Sequence, residues 1–457
     1  MNVAVPQDLD SIIDDGRISG FQITIIVLCG LIAMLDGFDT QAIAFVAPEI
    51  ITAWGIAPGA FGPVFAAGLF GGLIGALVFG AAGDRVGRKP ALFCSILLLS
   101  IASLVTPLVH SLGPLIGLRF IAGIGLGGAL PGFISLSSEY APQRLRGTLV
   151  AIMFCGFPLG AVFGGAASAW LIPAFGWKSV LLAGGVLPLA VLPFFMALVP
   201  ESVRFLAVKG DHRAIARIVH RMKPEILWNG IVAPVETHSN SPISSLFTEG
   251  RALGTILLWI TFFLSLLLTY FLINWIPIVA RRSGMGIEKA VLAVSILNLG
   301  AVVGCVVLGR LTDRFGPSVV IGVSYVFGAV AIACMGYAES SSALLYLTAF
   351  LAGAFSIGAQ ICTVALCATF YETFLRATGV GWAMGIGRTG AIAGPVFGGM
   401  LLSAGVRPAI LFAVAGATSF AAALAVLAMG YLVLRERPGS ATELASARRG
   451  GTRATAP

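Results

Sequence analysis

Runs of about 20 apolar residues, the length a helix needs to cross roughly 30 Å of hydrocarbon, recur twelve times along this 457-residue chain. They predict spans at 20–46, 60–82, 90–110, 113–138, 148–172, 179–199, 253–280, 289–309, 318–337, 343–370, 377–404 and 408–434. Hydrophobic residues make up 58% of the chain and charged ones 11%, with a mean hydropathy of +0.98. Such a composition suits an all-α integral membrane protein, whose backbone groups must be satisfied inside each helix. The first twenty residues set Asp8, Asp10, Asp14 and Asp15 against Arg17 alone. A basic leader is therefore missing, and the first span is expected to stay in the mature protein.

Placing the N-terminus inside puts 21 of the 28 Lys and Arg in cytoplasmic segments, leaving Lys178, Arg281, Arg282, Lys289 and Arg407 outside. The positive-inside rule then sets both termini in the cytoplasm. The net charge of +8 is a topological signal, and no basic soluble domain offers itself to a nucleic acid. All seven cysteines fall within spans and the four histidines show no ligand spacing with them, so no metal, cofactor or disulfide is expected. A phosphate-binding G-x-x-x-x-G-K-[ST] loop is also missing, which argues against a nucleotide-driven pump, and no nucleophile with a base suggests an enzyme.

The long polar interval 200–252 divides the chain into a cytoplasmic segment 1–19, a six-helix bundle 20–199, a linker, a second bundle 253–434 and a tail 435–457. Within the linker Arg213, Arg217 and Arg221 share one face of a helix, with Ile215, Ile218, Val219 and Met222 elsewhere. That pattern fits a helix lying on the membrane surface, or a solvated linker helix. Two loops repeat across the divide, "GAAGDRVGRKP" and "GRLTDRFGPSV", and their aspartates, Asp84 and Asp313, stand 229 residues apart, half the chain. "SEYAPQRLRGT" before span 5 is echoed by "TFYETFLRATG" before span 11. Duplication of a six-helix unit explains both.

The run Gly80, Asp84, Arg85, Gly87, Arg88, Lys89 resembles the signature loop of the major facilitator superfamily. Within it, "DGFDTQAIAFVAP", "LRFIAGIGLGGALPG", "SSEYAPQRLRG", "FLINWIP" and "RATGVGWAMGIGRTGAIAGP" resemble the aromatic acid:proton symporter family. The chain departs from that family at Gly132, where asparagine is frequent, after Gln360, where a glycine and an asparagine are missing, and at Glu372, where proline is common. The resemblance implies twelve transmembrane helices in two pseudo-symmetric six-helix bundles. Its fifty-eight glycines supply small faces on which helices approach and slide.

Asp36, Asp39, Arg119 and Arg388 lie within spans, where an ionisable side chain costs at least about 2.5 kcal/mol and needs a partner or a watery cavity. At about 1.5 Å rise per residue, Asp36 falls about 4 to 5 Å from the midplane, and Asp39 and Arg119 about 9 Å. The two acids, three residues apart, project to one side of the helix. Repulsion and burial favour a proton there and a nearby arginine opposes it, which is the balance a proton carrier needs. Arg119 is expected to hold a substrate carboxylate with its guanidinium fork, or else to lock helices by pairing Asp39. Arg388, among small neighbours, is expected to reach inward.

By resemblance both arginines match functional positions, and Glu139 belongs to the proton path or the cytoplasmic gate, or else is a surface acid pairing Arg144 or Arg146. Tyr270, Asn274, Trp275, Asn298 and Gln360 are expected to sandwich a ring and bind its substituents, or to serve as packing amides and interfacial aromatics. Asp84, with Arg85 and Arg88, and its counterpart Asp313 with Arg314, are expected to close the cytoplasmic side, Asp84 sitting at a helix N-terminus and pairing with arginines across the halves. The implied function is import of a small aromatic carboxylate of the benzoate or hydroxybenzoate type with protons, by alternating access in the bacterial inner membrane, one chain sufficing. Transport of another organic anion, efflux, and a membrane sensor are the alternatives.

Overall fold

The computed structural model describes residues 12–13, 18–223, 242–338 and 341–434. Most of the expected N-terminal segment, the middle of the linker and the tail lie outside the described residues. The first six spans are Gly20–Trp54, Gly62–Val86, Arg88–Val105, Leu112–Tyr140, the pair Gln143–Phe154 and Gly156–Phe175, and Lys178–Leu198. The second six are Ala252–Arg282, Ile287–Phe315, Pro317–Met335, the composite Ser342–Ala352, Gly353–Ile357 and Gly358–Phe370, then Thr373–Ser403 and Pro408–Met429. Eleven are long and apolar enough to cross a membrane by composition alone. Thr373–Ser403, 31 residues with Arg388 at its middle, makes the twelfth.

Local chemistry sets the boundaries. Ser19 and Gln22 form a capping box that starts span 1, and Gly55, in the left-handed region, ends it. Gly87 (φ 115°) and Gly316 (φ 89°) turn the chain at the same point of each repeat, between spans 2 and 3 and between spans 8 and 9. Span 5, expected as one run from 148, begins at Gln143 and breaks at Cys155. Span 10 holds a π turn at Gly353–Ile357, which the apolar pattern could not announce because it leaves the composition unchanged.

Glycines bring the helices backbone to backbone, and they do so twice. A Cβ at Gly127 would lie 1.9 Å from the Gly72 carbonyl oxygen, joining spans 4 and 2; at Gly304, 2.1 Å from Ala354, joining spans 8 and 10. Gly160 meets Met34 between spans 5 and 1, and Gly394 meets Leu267 between spans 11 and 7. Without a hydrophobic drive between helices in lipid, such close approach supplies the dispersion that holds them. The repeated pairing is the duplication made visible.

The linker helix His212–Met222 corrects an expectation. Ile215, Ile218, Val219 and Met222 are buried with Val203 and Leu206 in one cluster with Ile25, Ile26 and Leu92 of spans 1 and 3. Its apolar side thus docks on the protein, and neither lipid nor solvent covers it; Arg213 and Arg217 stay exposed.

The end of the bundle carrying this linker is the linker end, the opposite one the far end. In the far half the two halves touch. A Cβ at Gly59 would sit 2.4 Å from the Gly399 carbonyl oxygen, Phe65 meets Trp275 edge-on at 5.7 Å, and Glu49 pairs with Arg281 at 3.3 Å.

Candidate functional site

Span 1 is pressed onto span 5 at the point where its acids stand: a Cβ on Gly37 would lie 1.9 Å from the Phe157 carbonyl oxygen. The glycine between the acids is therefore dictated by packing, and it fixes the height and rotation of both. Asp36 and Asp39 are each 2% exposed. Their surroundings differ.

Asp39 points into the N-terminal bundle. Its Oδ1 accepts a hydrogen bond from Ser103 of span 3 at 2.9 Å, and its Oδ2 stands 4.0 Å from Arg119 of span 4. Arg119, as buried as its partner, also donates to Thr106 at 3.0 Å. A Cβ at Gly184 of span 6 would lie 2.7 Å from Asp39 Oδ1, so that glycine makes room for the carboxylate. Four helices of one half thus enclose an acid and a base that partly satisfy each other.

Asp36 has no such support. Neither carboxylate oxygen has a hydrogen-bond partner, and the side chain borders a small chamber lined by Leu35, Leu99, Ala129 and Leu192. Arg388 and Tyr270, from the other half, lie within its electrostatic range. Sequence spacing had both acids share one cavity. In the structure the chamber beside Asp36 is lined by spans 1, 3, 4 and 6, the same four helices that enclose Asp39, and the acids differ in that Asp39 has Ser103 and Arg119 as partners while Asp36 has none. Arg388 is half-buried, and among the described residues no hydrogen bond occupies its guanidinium.

The expected ring-binding residues divide. Trp275 is fully buried and donates to the Pro395 carbonyl at 3.2 Å. Asn274 donates to Tyr270 O one turn back. Asn298 exchanges two hydrogen bonds with Gln41 of the other half, at 3.1 and 2.9 Å. These three are engaged in structure, whereas Tyr270 and Gln360 are partly accessible. Ser103, Thr106 and Gln41 were missed. Gln41 was visible as an amide in an apolar run, but nothing in the sequence told which of many polar residues it would meet.

At the linker end Glu139 is held by Ser135 at 2.8 Å and Ser202 at 2.6 Å. Asp84 departs from expectation on both counts. It lies in the last turn of span 2, and it bonds Arg88 of its own loop, which Gly87 folds back over it. The carboxylate at the N-terminus of span 3 is Glu201, which accepts from the backbone N–H of Arg88 at 2.8 Å and of Lys89 at 3.1 Å. Asp313 and Arg314 occupy the equivalent exposed turn, Arg314 lying over the Phe315 ring at 5.2 Å.

The chain matches the Major Facilitator Superfamily over residues 29–314 and 290–455. It is 41% identical to the gallate transporter of Pseudomonas putida over 441 residues, 95% of this chain and 98% of that one. It belongs to the major facilitator superfamily. Within the superfamily it falls in the aromatic acid transporter family: the 4-hydroxybenzoate transporter PcaK of Pseudomonas aeruginosa is 39% identical over 404 residues, covering 87% of this chain and 90% of that one. The fold is that of the inward-open xylose transporter XylE of E. coli, at a TM-score of 0.70 and 19% identity, over 93% of this chain and 99% of that one. In this superfamily member, a multi-pass membrane transporter, Arg388 and Tyr270 of the second half lie within electrostatic range of Asp36, and Asp39 and Arg119 form a pair within the first half.

Proposed function

We propose that this protein imports a small aromatic carboxylate, of the benzoate or hydroxybenzoate type, together with protons by alternating access between its halves. The reading is supported by the buried carboxylate of Asp36, which has no hydrogen-bond partner, with Arg388 of the other half within its electrostatic range. Arg388 is the cation for which Asp36 and the substrate carboxylate compete, since its planar fork suits a carboxylate in two-point contact. When substrate takes the guanidinium, Asp36 loses its counter-charge in a dry place and binds a proton. Substrate and proton then cross together, and neither is released without relaxing the other.

Tyr270 flanks the same point and supports the ring or a ring hydroxyl. Asp39 and Arg119 keep span 1 at its rotation and form a reserve proton site, Arg119 being the second anion-binding group. Glu139, Asp84, Arg85, Arg88, Asp313 and Arg314 belong to the closing of the linker end. The names of the relatives, gallate and 4-hydroxybenzoate transporters, support the substrate class. The 21 basic residues on the linker side support an inner-membrane protein with both termini and residues 200–252 in the cytoplasm, between bundles 20–199 and 253–434. One chain holds the whole site.

The test is uptake of labelled benzoate, 4-hydroxybenzoate and gallate into proteoliposomes with an imposed inward proton gradient, beside a dicarboxylate and shikimate as controls. Accumulation of an aromatic acid that collapses with the gradient is expected. Arg388→Lys, which keeps the charge but not the fork, is expected to raise the half-saturating concentration about 10- to 100-fold, the worth of one charge-assisted hydrogen bond. Uptake of the controls alone, or accumulation indifferent to the gradient, would overturn the reading.

A further inference from the structure

The two halves are tied in their far half by contacts of unequal kind. The Glu49–Arg281 ion pair is at the rim, with both side chains partly exposed, where screening and side-chain entropy leave little net attraction. Gln41 and Asn298 lie deeper, 1% and 4% exposed. Their amides face each other squarely, Gln41 Nε2 donating to Asn298 Oδ1 and Asn298 Nδ2 donating to Gln41 Oε1, while Asn298 Nδ2 also donates to Val294 O at 2.9 Å. Ser295, one turn before Asn298, touches Gly165 of the other half. No other described pair of side chains joins span 1 to span 8 by reciprocal hydrogen bonds.

We propose that the Gln41–Asn298 amide pair is the latch of the far gate and sets the ratio of far-closed to far-open protein. The inference rests on the reading that the halves rock and that the far end faces outward, but it concerns residues which that reading leaves idle. Opening the far end separates span 1 from span 8, so the pair must break and two buried amides must give up each other as partners. The latch therefore holds the far side shut. Removing Gln41 acts twice: two bonds are lost, and Asn298 Oδ1 is left without a donor in the closed state, while its Nδ2 keeps Val294 O. Gln41→Leu is thus expected to move the closed-to-open ratio about 30-fold toward open, two net hydrogen bonds' worth.

The experiment needs no substrate, so its failure is distinct from failure of the aromatic-acid reading. Ser295→Cys is introduced as a reporter, and a charged, membrane-impermeant maleimide is applied to sealed vesicles of defined orientation, with the Ser295 chain as background. Gln41→Leu is expected to raise the labelling rate of Cys at this position from the outer side about 30-fold. The length-conserving swap Gln41→Asn with Asn298→Gln, which rebuilds the pair, is expected to bring the rate back toward the parent, a recovery that a fold defect would not show. Faster labelling from the inner side alone would keep the latch and overturn the orientation. A rate unchanged by Gln41→Leu, or a swap that labels as fast as its two single changes, would overturn the latch.

Discussion

Asp36 and Asp39 are three residues apart on one helix and equally buried, yet the same isosteric change at each should move stability in different directions. Asp39→Asn keeps an oxygen for the Ser103 hydroxyl but removes the charge facing Arg119, a residue itself only 3% exposed. Two unit charges 4.0 Å apart attract by about 4 kcal/mol at an effective dielectric of about 20. Stranding a buried arginine costs about 3 to 5 kcal/mol in comparable pairs. Part of this is recovered because Arg119 still holds Thr106. A loss of about 2 to 4 kcal/mol is expected. Asp36→Asn removes a carboxylate with no hydrogen bond to lose and relieves the cost of burying a charge whose only cation, Arg388, acts on it from a distance. Its stability should be unchanged or higher. Thermal unfolding of the two purified variants in one detergent, followed by size-exclusion fluorescence, measures the contrast. Transport separates them again: Asp36→Asn should still exchange labelled for unlabelled substrate but fail to accumulate it against a gradient. Equal thermal shifts, or gradient-driven accumulation by Asp36→Asn, would refute the division between the two acids.

Other perturbations are read directly from contacts. Gly127→Ala would place a methyl 1.9 Å from the Gly72 carbonyl oxygen, whereas Gly117→Ala meets nothing within 4 Å; the first should cost about 1 to 3 kcal/mol by overpacking and the second nothing measurable, as unfolding in detergent would report. At the linker end, Glu201→Gln gives up a charge at the start of span 3 that two backbone N–H groups address, at a cost of about 0.5 to 2 kcal/mol. Asp84→Asn breaks an exposed i,i+4 pair and should change stability by under about 1 kcal/mol.

Much of the architecture was legible because a bilayer leaves so few options. Span number, the duplicated loop and the odd placement of four charges follow from hydropathy and spacing, and the Asp84–Asp313 interval carried the two-fold repeat. What was not legible depended on rotation about a helix axis and on registry between helices. The π turn at Gly353–Ile357 and the break at Cys155 shift the faces that follow them without changing composition. Trp275 and Asn274 read as ring binders because an aromatic and an amide near mid-span look alike whether they face a cavity or a neighbour; Pro395 O and Tyr270 O had already taken their donors. Glu201 could not be found at all from the sequence, since it reaches its helix terminus from 113 residues away.

The arrangement also explains why one half is bound more firmly around its acid than the other around its base. A carrier needs an acid whose partner changes, and a buried charge with a changing partner is costly in every state. If both acids of span 1 were unpartnered, no polar side-chain contact would hold this turn of the helix to its own half, and in the proposed cycle Asp36 would not be presented to Arg388 reproducibly. Asp39 supplies that contact: it ties span 1 to Ser103 of span 3 and, more loosely, to Arg119 of span 4, while Gly37 seats the same turn on span 5. The fixed pair thereby aims the free one. A substitution that loosens Asp39, such as Ser103→Ala, should then weaken coupling without touching substrate or Asp36, visible as fewer protons carried per substrate at little change in exchange rate. If coupling stays intact in Ser103→Ala while exchange falls, Asp39 does its work on the substrate itself and the aiming role is wrong.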